Sequence, residues 1–527
     1  MSFRLAIPYC YPPVSWRLAQ KCKLQIANCK LKIERTGPAL RRRITLVSIL
    51  QFAICNSQFA ICNTFRKLCG CGSAVPGKTP APLCSLFRKG RRRGVLLVLA
   101  ALLPVASASG QETVRLKESL PAGLQYHVSS RADLAGSLTL PADKDGKSKT
   151  LPVTGSSIIE YDERILDGDA KGPVEKTLRI YRQMDFKRTV GEQKQASSIR
   201  GEVRRMVLLK YKQSEVPFSP DGPLTWGEID LVRTDVFGPA LQGLLPQKEV
   251  KVGARWDAET RAAEELTDLD QAKGKLECRL QELVTRGGRR FAQISFAGTI
   301  SGVNDDGPNR QELEGDFFFD LQSNHLSYLY VNGVSSLLDK DGKARGKIEG
   351  KYVLTRRLEP VADLADDVVR KLTVEPTPEN TLLLFDEPAL GVRFTYARRW
   401  QVQRADARQI VLEGQGGGGL VITLEPLTQT PTGKQFQTEA TGALQKQGAR
   451  LTRTEAAQTI RSAPDPIERF FFEAEIGKTL MQMDYYVVRQ VMGGATIAGQ
   501  YPIRESAAMQ KDVEGTVRSL RLIPPKK

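Results

Sequence analysis

Apolar and polar residues alternate with a period of two through most of residues 112–360. In Phe291–Ile300, the residues Ala292, Ile294, Phe296 and Ile300 fall on one side. The same spacing groups Leu178, Ile180, Met184 and Phe186; then Leu276, Cys278, Leu280 and Val284; then Leu326, Tyr328 and Tyr330. One apolar and one polar side is the pattern of half-buried antiparallel strands. Asp145-Gly146, Gly287-Gly288, Asp306-Gly307 and Asp341-Gly342 supply turn pairs between them. About ten strands are expected, some long. Helices are expected only at Asp235–Leu245 and Glu259–Leu269. Long antiparallel strands with few helices predict a strongly curved sheet, a half-barrel, over residues 111–359.

The pattern changes after that. Pro360, Pro376, Pro378 and Pro388 surround a charged helical piece, Val361–Leu372, so 360–388 reads as a linker. Residues 389–527 then predict strands at Val392–Tyr396, Gln409–Leu412 and Gly419–Leu424, and a helix at Lys434–Gln447. Strands at Ala449–Thr459, Arg469–Ile476, Thr479–Arg489 and Ala495–Tyr501 follow. A final helix, Ser506–Leu520, is expected to be capped by Ser506, with Ala507, Met509, Val513 and Val517 on one face. The fold class is therefore α+β.

One stretch near the N-terminus fits neither unit. Arg88–Arg93 is basic, Gly94–Val105 is apolar, and Ala106-Ser107-Ala108 is small. Basic, apolar and small in that order is a secretory signal peptide, placed at 88–110. Its apolar run of about 12 residues falls short of the roughly 20 that span a bilayer. Cleavage is expected after Ala108 or Gly110, with an uncleaved tether as the alternative. The expected location is extracytoplasmic, periplasmic or secreted, with no stable membrane span after cleavage.

That boundary changes the meaning of the composition. The chain carries 77 Lys+Arg and 59 Asp+Glu, net +18. Residues 1–93 hold 18 of the basic residues and one acid, Glu34, which leaves 59 basic and 58 acidic beyond them. The basic balance belongs to the leader, so a nucleic-acid partner is not expected. Eight of the nine cysteines also precede the signal, and Cys278 alone follows it. Residues 1–87 contain QFAICN at 51–56 and 58–63, with the related LQIANCK at 24–30. Two copies are too few to form a repeat array. This leader reads as non-structural, either translated sequence upstream of the true start or a long disordered pre-region. Gly72–Thr79 matches GxxxxGK[ST], but Pro80 and Pro82 forbid the helix that a phosphate loop needs.

Leu245–Trp256, followed by Gly315–Asp320 and Leu326–Tyr330, resembles a segment pattern of exported bacterial proteins of unknown function. That resemblance implies a sheet wrapped on a helix, as in lipoprotein carriers. Gly391–Trp400 and the closing helix into Ser519-Leu-Arg-Leu522 resemble the PsbP-like family. It implies an α/β/α sandwich and an accessory or binding role, with no active site to carry over. Ala397 stands where that family has proline.

No catalytic constellation emerges. His127 and His325 are far apart in sequence, and both read as structural strand residues. Cys278 on an apolar strand face reads as buried rather than nucleophilic. Asp143-Lys-Asp145-Gly146 and Asp339-Lys-Asp341-Gly342 resemble calcium loops. In that register Pro141 and Leu337 stand first and Pro152 and Ile348 twelfth, which rules the loop out. Gly414–Gly419 matches GxGxxG but joins two strands, so it reads as a hairpin turn. Neither GxSxG nor HExxH occurs. No catalytic residue, cofactor or metal is expected. Phe317, Phe319, Tyr328 and Tyr330 form a candidate stripe that lines an apolar ligand cavity or simply fills a sheet core. The expected function is a non-catalytic exported binding or envelope-accessory protein. Its expected partner is an apolar small molecule, an envelope component or another protein. The rival expectation is a hydrolase with a carboxylate-based site.

Overall fold

The computed structural model describes residues 112–524 apart from 141–147, 169–172, 212–213, 305, 415–416 and 478. The proposed leader, the signal segment, the phosphate-loop pattern and Asp143–Gly146 lie outside the described residues.

The strands of the first unit run in chain order as β1 (Gln125–Thr139), β2 (Thr150–Ile165), β3 (Lys176–Val190), β4 (Gln193–Ser198), β5 (Arg205–Tyr211) and β6 (Ser214–Phe218). They continue as β7 (Arg255–Asp257), β8 (Asp270–Arg286), β9 (Arg289–Asn304), β10 (Gly307–Asp320), β11 (His325–Leu338) and β12 (Ala344–Leu358). Among the described residues these form one twelve-stranded sheet in the order β7-β8-β9-β10-β11-β12-β1-β2-β3-β5-β6, with β4 paired to β3. Every pairing is antiparallel. The β8–β9 hairpin shows how sequence sets this pattern. Arg286 faces Arg289 across Gly287 and Gly288, whose φ values are +57° and +76°. A two-residue turn with positive φ at both positions matches the twist of the flanking strands.

Helical segments lie on the inner side. They are α1 (Trp226–Arg233), a 3-10 stretch at Gly238–Leu244, and α2 (Thr260–Thr267). The two expected helices thus appear, shortened. α1 was not expected, although Thr225 and Glu228 form a capping box at its start. The sheet bends around these helices. Glu265 of α2 pairs with Lys210 on β5, and the carbonyl of Thr267 accepts from Gln311 Nε2 on β10 at 2.8 Å. β10 and β5 are six strand steps apart, about 29 Å in a flat sheet. An eight-residue helix is about 12 Å long, so only a curved sheet brings both strands to it. Gly298 marks tight coiling within it, since a Cβ there would lie 1.9 Å from the carbonyl oxygen of Lys275.

Residues 359–388 are more than a linker. Val361, Leu364, Val369, Leu372 and Val374 pack on the outer face over Leu178, Ile180, Val207, Leu209 and Phe218. The expected helix there is reduced to a 3-10 turn at Ala362–Leu364 and one short α turn at Asp366–Val369. Gln125 Nε2 and Arg164 Nη1 both donate to the carbonyl of Leu364, at 3.0 and 2.6 Å. Next, Leu383–Glu387 forms a strand, antiparallel to Val392–Tyr396 and parallel to Leu224–Thr225. Arg521–Leu522 adds to its far side through Val392–Arg393. This small sheet joins the two units through one hydrophobic core.

The second unit continues with β13 (Trp400–Ala405), β14 (Gln409–Gly414), β15 (Gly418–Glu425), α3 (Gly433–Lys446), β16 (Arg450–Arg461), β17 (Ile467–Ile476), β18 (Thr479–Gln490), β19 (Gly493–Pro502) and α4 (Ser506–Ser519). Their antiparallel sheet runs β13-β14-β15-β19-β18-β17-β16. The alternation of β18 assigns the two helices to opposite faces. Met483, Tyr485 and Val487 pack with Phe436 and Leu444 of α3. Tyr486 and Val488 share the core of Met509, Val513 and Val517 of α4. All the expected elements are present, and β13 is an addition. Ser506 is not the cap of α4: it lies inside the first turn after Glu505, and Ala507 is exposed.

Candidate functional site

The inner face of the curved sheet is divided. Along β8–β11 it is largely apolar, with Cys278, Ile294, Phe296, Phe317, Phe319 and Leu329 fully enclosed, and it turns polar at one end, at Asn309, Gln311 and Ser335. The Cys278 thiol is pushed up to about 12 by burial, so it stays protonated. This part agrees with a filled core.

The four aromatic residues expected to form one stripe do not share a face. Phe317 stands opposite Leu329, whereas Tyr328 stands opposite Phe318 and Tyr330 opposite Asp316. Phe317 and Phe319 point inward; Tyr328 and Tyr330 are half-buried on the outer face, where Tyr328 and Phe318 lie 5.7 Å apart. The cause is a bulge at Ser327, since Phe318 pairs with Tyr328 and Phe319 with Leu326. An extra residue reverses the alternation of everything beyond it.

Along β12 and β1–β3 the inner face is charged. Arg179 on β3 donates from Nε to Glu163 on β2 and from Nη1 to Asp235, both at 2.7 Å. It also donates to the Tyr181 hydroxyl at 3.3 Å and to the carbonyl of Val236 at 3.2 Å. Its guanidinium carbon lies 4.2 Å from the ring centre of Tyr161. The Tyr126 hydroxyl donates to the other oxygen of Glu163. Arg356 on β12 pairs with Glu118 and donates to the carbonyl of Leu326 at 3.0 Å. Arg179, Arg356, Glu118 and Glu163 are all at most 2% exposed. Such burial is tolerable only where charges are paired and hydrogen-bonded.

Proton affinities follow from this enclosure. Burial raises the Glu118 carboxyl, against the pull of Arg356. Burial raises Asp235 to about 7, against the pull of Arg179. Beside this cluster, Lys210 pairs with Glu265, which also accepts from the Phe237 amide at 2.6 Å. The network therefore fastens residues 235–265 to the sheet. Sequence reasoning missed it. The available sign was the charged run Glu160–Arg164 inside a long strand, together with Arg179 and Arg356 in others.

The histidines occupy separate places. His127 contacts Asp162 at 2.9 Å and Glu160 at 3.3 Å on the outer face. His325 Nδ1 contacts Ser323 at 2.9 Å, and burial draws its imidazole down to about 4, which keeps it neutral. Asp339 folds its carboxylate onto the amides of Asp341 and Lys343, as a turn does. β14 and β15 pair directly, antiparallel, up to Gly414 and Gly418, as the two arms of a hairpin do. Among the described residues, no group of three His, Cys, Asp or Glu is placed to hold a metal. No described helix is long and apolar enough to cross a membrane.

No family model and no curated protein matches the chain. Solved structures give distant likenesses. The solution structure of cyanobacterial PsbP (CyanoP) from Synechocystis sp. PCC 6803 is 12% identical, with TM-score 0.22, covering 27% of this chain and 92% of that one. Lipovitellin, in a structure titled for lipid–protein interactions, is 12% identical with TM-score 0.26, covering 46% of this chain and 26% of that one. MucB in complex with MucA(peri) is 11% identical with TM-score 0.13, covering 75% and 94%. Likeness at this level decides nothing about activity.

Proposed function

We propose that this is an exported, non-catalytic binding or envelope-accessory protein whose curved sheet takes an apolar ligand on its β8–β11 side. The observation that carries this reading is an apolar inner floor beneath helical segments that polar contacts fasten. The covering segment also packs Phe237, Leu241, Leu244 and Leu266 into the same core, so a ligand on this side takes the place of side chains that fill it in the unliganded protein. The buried carboxyls Glu118 and Asp235, both raised by burial, face arginines rather than an open cleft, which favours binding over carboxylate-based hydrolysis. The second unit is read as a PsbP-like domain, on its helix–sheet–helix layering and its Trp400 and Leu520 segments. It serves as an accessory or partner-binding module.

Native mass spectrometry of the protein recovered from cells expressing the whole chain tests this. The expected species begins after Ala108 or Gly110 and carries an adduct of a few hundred daltons that leaves on activation. A species that keeps residues 1–87 overturns export. A bare mass that also fails to take up added fatty acid or phospholipid overturns the apolar-ligand reading.

A further inference from the structure

The charged half of the inner face is out of balance. Arg356 is matched by Glu118, but Arg179 is shared by two carboxyls, Glu163 and Asp235. Two carboxylates on one guanidinium in a dry interior cannot both stay ionised without a large penalty. The hydrogen bonds show which one yields. Glu163 has a donor on each oxygen, Tyr126 hydroxyl on one and Arg179 Nε on the other. Asp235 receives Arg179 Nη1 and, besides it, only the amide of its own chain neighbour Val236. The other groups that face Asp235 are Tyr161 on β2, Tyr181 on β3, Tyr352 on β12 and Glu215 on β6. None of these brings a second cation. Lys210, the next cation, is already held between Glu265 and Glu215.

We propose that Asp235 carries a proton in the docked state, and that loss of this proton loosens residues 235–267 from the sheet, making the cover of the inner face pH-sensitive. The inference rests on the charge count and stands whether or not the floor binds an apolar ligand. Its sign follows from linkage. Asp235 holds its proton more tightly when docked than when exposed, so docking is strongest below the ordinary carboxylate range. It weakens as pH rises from about 4 to about 7, then levels off.

Hydrogen exchange on the full chain tests this, read on the Val236 and Phe237 amides and on α2. In the wild type, protection of this segment should fall about tenfold or more between pH 5 and 7.5. In Asp235→Asn, which keeps an acceptor for Arg179 but cannot lose a proton, protection should change less than about twofold. A pH-independent wild type, or an Asp235→Asn variant that falls as steeply, overturns the proposal. Should that variant not fold, the wild type still decides: infrared absorption of a protonated carboxyl must persist at pH 6 and vanish by pH 9. Its absence at pH 6 also overturns the proposal.

Discussion

The two halves of the inner face are built on neighbouring strands of one sheet and solve burial in opposite ways. Phe296, Phe317, Phe319 and Leu329 need nothing from each other except shape. Arg179, Arg356, Glu163, Glu118 and Asp235 depend on named partners and specific atoms. The apolar half contributes stability by leaving water, at about 25 cal/mol per Å². The charged half gains little net energy from its ion pairs, because desolvation offsets the attraction. What it does supply is location, because Arg179 fixes Asp235 and Val236, and Lys210 fixes Glu265, all in the covering segment.

The contrast makes unequal predictions. Arg179→Met should be the most damaging change, costing about 3–5 kcal/mol near pH 7.5, because it strands Glu163 and Asp235 without their cation. Denaturant unfolding at that pH measures it. Phe317→Ala should cost nearly as much, about 3–4 kcal/mol, from lost burial plus a cavity. Tyr328→Ala, on the outer face, should cost about 1 kcal/mol or less. If Tyr328→Ala is as harmful as Phe317→Ala, the assignment of faces is wrong. Thr225→Ala, which removes the capping box of α1, should likewise cost about 1 kcal/mol, seen as earlier thermal unfolding.

The element order was legible in the sequence and the faces were not. Turn pairs and apolar runs located nearly every strand of the second unit, because it rests on alternation and clear breaks. In the described residues of the first unit five register shifts interrupt the alternation, and three of them change which face the expected residues take. Gln281 is extra between Leu280 and Glu282, so Leu283 rather than Val284 returns to the inner face. Arg182 is extra between Tyr181 and Gln183, so Leu178 and Ile180 turn outward while Tyr181 and Met184 face in. Ser327 does the same to Tyr328 and Tyr330. A bulge leaves no mark in hydrophobicity, since its extra residue is simply polar. The charged cluster was hidden for the same reason: Arg179 takes the parity that seemed polar and exposed. The linker's strand at Leu383–Glu387 was masked by its neighbouring prolines.

The most direct test compares the two halves as pH changes. Unfolding free energies of wild type, Arg179→Met and Phe317→Ala should be measured at pH 7.5 and pH 5. Without Arg179, Glu163 and Asp235 favour their protonated forms in the folded state, so that stability is present at low pH and lost as pH rises. The Arg179→Met deficit should therefore shrink by about 1 kcal/mol or more at pH 5, while the Phe317→Ala deficit stays constant. Equal deficits at both pH values for both variants would contradict a charged half that anchors its cover through shared protons and cations.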